Sequence, residues 1–222
     1  MTDRRDLSDG PSCPVPLPHD QRIVLGHGSG GRLTADLIER VFMPLLDNPI
    51  LRAAEDAAVL PVAGLGTGGD LAFTTDTYVV RPLFFPGGDI GRLAVCGTVN
   101  DLSMMGAEPR WLSAGFLLEE GLAVADLERI VRSLRAAADE AGVQIVTGDT
   151  KVAERGKVDG CYITTAGVGW IPPGRAVRAA GVEAGDAILV SGSLGDHGIA
   201  VLAARGDLAF TTDIVSDAAP LN

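Results

Sequence analysis

The sequence predicts an α/β (α+β) protein, and three features carry that prediction. Short β-rich runs alternate along the chain with longer stretches whose apolar residues recur at helical spacing. The clearest such stretch, Val124 to Ala141, sets Leu127, Ile130, Val131, Leu134, Ala138 and Ala141 on one face and Asp126, Glu128, Arg129, Arg132, Arg135 and Asp139 on the other. Glycine and proline clusters mark the boundaries, most plainly at Pro172-Pro173-Gly174.

In chain order, residues 1–20 combine Pro11, Pro14, Pro16 and Pro18 with many charges and are expected to be a disordered leader. Ile23-Val24-Leu25 then runs into Gly26-His27-Gly28-Ser29-Gly30-Gly31 and a helix, Arg32 to Leu45, with one buried face through Leu33, Leu37, Ile38, Val41 and Leu45. A glycine-rich turn that feeds a helix can present free N–H groups to an anion, or be only a flexible turn. Strands are expected at Ala57 to Val62 and Leu71 to Val80. A helix capped by Asp89 follows, its apolar face formed by Leu93, Val95, Cys96, Val99, Leu102 and Met105. After it come a strand at Trp111 to Leu118, the long helix stopped by Gly142, and a strand at Gln144 to Thr147 that ends in Gly148-Asp149-Thr150-Lys151. A β-rich segment, Gly160 to Ile171, closes a domain that spans 21–172.

Beyond that boundary, Asp186 to Ser191 reads as a strand, Gly192 to Gly198 as a second glycine-rich turn and Ile199 to Arg205 as a short helix. Residues 173–222 are thus the incomplete start of a second α/β domain, too short to close a core, and the chain is expected to be a truncated piece. GDLAFTTD occurs at both Gly69–Asp76 and Gly206–Asp213, but the flanking sequences differ, so no repeat architecture follows.

Hydrophobic residues make up 46% of the chain and mean hydropathy is +0.25, enough for a substantial core. No apolar run approaches the ~20 residues of a membrane span, and no secretory signal opens the chain. A cytoplasmic location is expected. A net charge of −11 argues against nucleic acid and anionic membranes as partners, though not against a nucleotide, because metal ions bridge carboxylates to phosphates. Cys13, Cys96 and Cys161 are far apart, odd in number and without CxxC spacing, which argues against a disulfide framework or a zinc site; Cys96 reads as a small core residue. His27 and His197 both sit in glycine-rich turns and are expected to stabilise those turns rather than bind metal.

Four acids occupy places where aspartate is disfavoured: Asp56 and Asp76 at or inside strands, Asp101 beside Asn100 in mid-helix, and Asp149 after a strand with Lys151 close by. Each alone could be a structural carboxylate answered by an arginine or by backbone N–H groups. Together they suggest a second reading, in which clustered carboxylates hold Mg²⁺ while Lys151 and the Gly26–Gly31 amides meet phosphate, a site suited to phosphoryl transfer.

HGSGG with its helix, EDAAV, TTD, PLFFPGGDIGRLAVCGTVNDLSMMGA, TGDTKV and SGSLGDHG stand in this order from Ile23 onward. They resemble the hydrogenase-maturation HypE family, in the superfamily of aminoimidazole ribonucleotide synthetase, selenophosphate synthetase and thiamine-monophosphate kinase. The resemblance implies an N-terminal ATP-binding domain whose mixed sheet pairs with that of a second subunit, giving a homodimer with ATP near the interface. It implies Mg²⁺ ligation by Asp56, Asp76, Asp101 and Asp149, with Asn100, Gly148, Asp149 and Lys151 near the phosphates and Gly28, Ser29, Gly30 and Gly31 over the nucleotide. Lys151 and Asp101 are the candidate catalytic residues.

The activity implied is an ATP-dependent carbamoyl dehydration. A carbamoyl group supplied by HypF is carried on the protein's own C-terminal cysteine, becomes a thiocyanate, and passes its cyanide to the HypC–HypD complex. No cysteine lies near the end of this sequence, so the chain is expected to bind ATP without completing that reaction. Alternatives are another ATP-using member of the superfamily, such as a small-molecule kinase or selenophosphate synthetase, or a dimerising scaffold.

Overall fold

A computed structural model describes residues 23–61, 68–175, 177–206 and 213–222. The expected leader, Cys13 and most of the second GDLAFTTD copy lie outside the described residues. Contacts divide the chain into two units, Met1–Arg52 and Ala53–Asn222.

In the first unit a single 3₁₀ turn, Leu25–Gly28, leads to helix α1 (Arg32–Leu37), a π-helical turn (Ile38–Phe42) and α2 (Met43–Leu46). His27 stabilises its turn as expected: it is buried, and its Nδ1 accepts the Val24 N–H at 2.9 Å. The helix forms, but the buried face expected of it does so only in part. Leu33 and Leu37 are half-buried, but Ile38, Val41 and Leu45 are exposed, so the expected face is covered only over its first two turns.

The second unit holds strands β1 (Ala58–Pro61), β2 (Asp70–Tyr78), β3 (Phe84–Phe85) and β4 (Gly88–Asp89), helix α3 (Ile90–Met104), β5 (Glu108–Glu119), helix α4 (Val124–Ala141), β6 (Gln144–Ala153), β7 (Cys161–Ile171) and helix α5 (Asp196–Arg205). Five strands form one mixed sheet in the order β1-β2-β7-β5-β6, and β3 pairs with β4 in a separate ribbon. Only β5 and β6 run parallel, joined by a crossover through α4; the other pairs are antiparallel.

Asp89 starts α3 as a cap, its carboxylate accepting the N–H groups of Gly91 at 2.7 Å and Arg92 at 3.1 Å. Ile90, Val95, Cys96, Val99 and Leu102 are then fully buried, so α3 lies in the core rather than on the surface. Two glycines permit that depth. A Cβ at Gly91 would stand 2.4 Å from the carbonyl of Ile130 on α4, and one at Gly97 would stand 2.3 Å from the Tyr78 hydroxyl on β2. Helix α4 supplies Ile130, Leu134, Ala137 and Ala138 to the same core and ends at Gly142, whose φ of 68° is the left-handed stop the sequence predicts.

Burial alternates strictly along β7, with Cys161, Ile163 and Thr165 beneath the helices and Thr164 exposed on the opposite face. That opposite face is open and carries apolar side chains: Phe73 is 42% exposed and Trp111 50%. β6 is an edge strand, with Val146 and Val152 exposed.

Two expectations fail here. Gly148-Asp149-Thr150-Lys151 does not lie past the end of a short strand but within β6, which runs on to Ala153 because β5 offers it a parallel partner along its length. Asp186 to Ser191 forms no strand; Ile188 and Leu189 are more than nine-tenths exposed, since a lone apolar run without a neighbouring strand has nowhere to place its backbone hydrogen bonds.

The close approach of α3 and α4 gives a direct test. Gly91→Ala pushes a methyl group against the Ile130 carbonyl and is expected to cost about 1–3 kcal/mol of stability, read as a lower urea midpoint. An unchanged midpoint would mean the two helices can part without loss.

Candidate functional site

On β2 the period of two puts Ala72, Thr74, Asp76 and Tyr78 on one face, and burial of Ala72, Thr74 and Tyr78 identifies it as the face beneath α3. Helix α3 lays Asp101 against this row. The buried Thr74 hydroxyl is the joint: it donates to Asp101 Oδ2 at 3.1 Å and also lies 3.2 Å from the main-chain carbonyl of Asp56, just before β1. One short side chain thus ties a strand, the entry to its neighbour and the central helix.

Asp56, Asp76 and Asp101 consequently share a small region. Burial pushes the Asp101 carboxyl up to about 6; the Thr74 hydrogen bond opposes this, and the charges of Asp76 and Asp56 add to it. Asp101 is half-buried, and among the described residues no arginine pairs with it, the partner that an ordinary structural carboxylate would have. Below the acids, Tyr78 pairs with Thr98 at 3.2 Å and Thr98 with Thr165 at 2.5 Å, while Thr98 also donates to the Ala94 carbonyl. Burial raises the Tyr78 phenol well above its usual value, so this hydroxyl chain stays neutral beneath the carboxylates. Sequence reasoning missed Thr74 and the Tyr78–Thr98–Thr165 chain. The signal was there for Thr74 and Tyr78, which stand two residues either side of Asp76.

Asp149 does not join them. Across the sheet, Asp76, Thr165, Ala114 and Gly148 occupy one row, and Thr77, Thr164, Gly115 and Asp149 the next. Adjacent rows point to opposite faces, so Asp149 and Lys151 lie on the open face while Asp76 lies on the covered one. Three strand spacings, about 14 Å, also separate β6 from β2. The four carboxylates expected on one ion therefore do not converge within a single chain, and among the described residues no three acidic, histidine or cysteine side chains are grouped to hold a metal.

Asp149 and Lys151 instead pair with each other at 2.7 Å, both exposed, and the ammonium holds the carboxyl below its usual range. Gly148 serves the sheet: a Cβ there would come within 2.3 Å of the Ala114 carbonyl. Gly28, Ser29, Gly30 and Gly31 lie in the first unit, where Ser29 Oγ donates to the Gly26 carbonyl and the Gly30 N–H reaches Thr34 Oγ1. Asn100, expected beside phosphate, has its carboxamide engaged by the chain itself: Nδ2 donates to the Ala219 carbonyl at 3.0 Å and Oδ1 accepts the Leu221 N–H at 2.8 Å. An open groove of about 900 Å³ runs between α4 and the Gly148–Thr150 backbone. Its arginine, Arg135, pairs through Nε with Asp139.

The model of the family described as "AIR synthase related protein, N-terminal domain" matches residues 54–171. The chain is 58% identical over 203 residues to the carbamoyl dehydratase HypE of Rhodobacter capsulatus, covering 91% of this chain and 59% of that one. A crystal structure of a HypE–HypF complex matches with a TM-score of 0.76 and 54% identity over 83% of this chain and 58% of that chain. A crystal structure of HypE in complex with ATP matches at 0.66 and 53% identity, over 90% and 58%. The chain therefore spans about three fifths of the length of the curated relatives it matches.

The raised Asp101 carboxyl has a consequence for stability. Its value rises from 3.8 to about 6 on folding, so between those limits the folded chain keeps a proton that the unfolded chain has lost. Stability then falls as pH rises through that window, and the penalty is complete above about pH 6. Asp101→Asn in the metal-free chain is expected to be more stable than the parent at pH 8, with the advantage gone at pH 4, in urea midpoints measured at both. Thr74→Val removes the opposing hydrogen bond and should raise the Asp101 carboxyl further, as followed by carboxyl ¹³C shifts.

Proposed function

Because the chain belongs to the AIR synthase related family, we propose that it is the ATP-binding portion of a carbamoyl dehydratase of the HypE kind. The observation that carries the proposal is the group of Asp56, Asp76 and Asp101 around Thr74, acidic and short of cations, within a chain 58% identical to a named carbamoyl dehydratase. The charges of Asp76 and Asp56 are felt at Asp101, and in this reading Mg²⁺ with triphosphate oxygens draws the three carboxylates onto one ion, a partner that oxygen donors of this kind accept.

In this reading Asp56, Asp76 and Asp101 hold Mg²⁺, whose charge would neutralise the phosphates when bound. Asp149 and Lys151 complete the site from a second subunit, since within one chain they face the other way. Support for a homodimer comes from the open sheet face with Phe73 and Trp111 and from the unpaired edge at β6. Gly28, Ser29, Gly30 and Gly31 are assigned to the nucleotide as a flexible cover rich in N–H donors.

The chemistry suits such a site. An amide oxygen leaves poorly, and transfer of the γ-phosphoryl group to it makes phosphate the leaving group. Loss of both N–H protons and of that phosphate turns a thiocarboxamide into a thiocyanate, so the net change is ATP to ADP and phosphate with removal of the elements of water. Lys151, released from Asp149 when phosphate arrives, is the proposed handler of proton or charge. The carrier of the carbamoyl group in this reading is the C-terminal cysteine that the resemblance implies. HypF as the carbamoyl source and HypC–HypD as the cyanide acceptor follow from the resemblance, and a HypE–HypF complex among the matching structures supports the first.

Mixed dimers test the shared site. Asp101→Ala and Asp149→Ala homodimers are each expected to bind Mg–ATP about tenfold or more weakly than the parent. A heterodimer of the two variants should regain one intact site and bind one ATP at parental affinity, as read by calorimetry. Failure of the heterodimer to recover, or parental affinity in both homodimers, would overturn the assignment.

A further inference from the structure

The segment 216–222 lies against α3 and is gripped along its main chain. At one end Ser216 donates its N–H to the Pro86 carbonyl at 2.8 Å, directly over Gly87. Gly87 has a φ of 88°, and a Cβ there would stand 2.6 Å from the Ser216 nitrogen, so the site for this peptide exists only with glycine. In the middle, Arg92 Nε donates to the Ala218 carbonyl at 2.9 Å while its other nitrogens hold Glu140. At the far end Asn100 takes both a carbonyl and an N–H, from Ala219 and Leu221. A carboxamide that donates to one peptide unit and accepts from another reads backbone as a neighbouring strand would. From the other side His197, at the start of α5, pairs through Nδ1 with Ser216 Oγ at 3.0 Å, and its main-chain N–H donates to Asp217.

Asn100 is next in sequence to Asp101, and adjacent helical residues point about 100° apart. The same turn of α3 therefore presents Asp101 to the acid cluster and Asn100 to the crossing peptide. We infer that residues 216–221 form a strap recognised by α3, and that Asn100 is the positioning residue tying the strap to the turn that bears Asp101, rather than a phosphate ligand. The inference rests on hydrogen-bond geometry and stands apart from the nucleotide reading. It gives the site helix a mechanical link to the segment that follows α5, so displacement of that segment would be felt at Asp101.

Amide hydrogen exchange in the 222-residue chain, with Mg–ATP affinity measured in parallel, tests this. Asn100→Ala is expected to speed exchange at Leu221 about tenfold or more, and Gly87→Ala to do the same at Ser216, while the β7 amides stay protected and report an intact fold. Both variants act through the strap, so they should change Mg–ATP affinity by the same factor, within about twofold. The inference is overturned if Leu221 exchanges equally fast in parent and Asn100→Ala, or if affinity falls about tenfold in Asn100→Ala alone, the behaviour of a residue that touches phosphate. Should the parent bind no ATP, the nucleotide reading fails while the exchange measurements still decide the strap.

Discussion

A β-strand turns each successive side chain to the opposite face, and that constraint decides what this chain can and cannot bring together. It places Thr74, Asp76 and Tyr78 under α3 and Asp149 and Lys151 on the far side of the sheet. No side-chain rotation undoes such a division. Asp149 and Lys151 therefore cannot meet Asp76 and Asp101 on one face of this sheet.

Within the covered face, burial and charge pull in opposite directions. α3 is sunk until Ile90, Val95 and Leu102 have no contact with solvent, a depth that Gly91 and Gly97 make possible. Burial of this extent stabilises the unit, by roughly 1.5–3 kcal/mol for each large apolar side chain. It also carries Asp101 into surroundings that disfavour its charge, within reach of the charges of Asp76 and Asp56, with one hydroxyl as relief. A purely structural helix would gain from asparagine or alanine at that position. Keeping the acid makes sense when a cation is to be bound, because the strain then disappears on binding.

Much of this could be read before any coordinates. Periodicity located α3 and α4, Asp89 as a cap and Gly142 as a stop, since these are local matters of helix chemistry. The acids at 56, 76 and 101 stood out because aspartate is poorly placed in strands and mid-helix. What could not be read was the sheet order. Alternation along one strand is visible in sequence, but which face of β6 matches which face of β2 depends on the two strands between them and on irregular pairing near Leu112 and Ser113. The strand is expected to end at Thr147 because glycine and aspartate are poor strand residues, yet its parallel partner keeps Gly148-Asp149-Thr150-Lys151 extended. Asp186 to Ser191 shows the opposite failure, a strand pattern with no neighbour to pair with. The strap on Asn100 left no sequence signal, because it is recognised through its main chain.

The most direct measurement replaces Mg²⁺ by Mn²⁺ and follows paramagnetic broadening in the NMR spectrum of the chain on adding Mn–ATP. Signals of Asp56, Thr74, Asp76 and Asp101 should broaden together at the lowest ion concentration, and those of Asp149 and Lys151 with them once the dimer forms. Sharp signals from Asp76 and Asp101 alongside broadening elsewhere would contradict a cation site beneath α3.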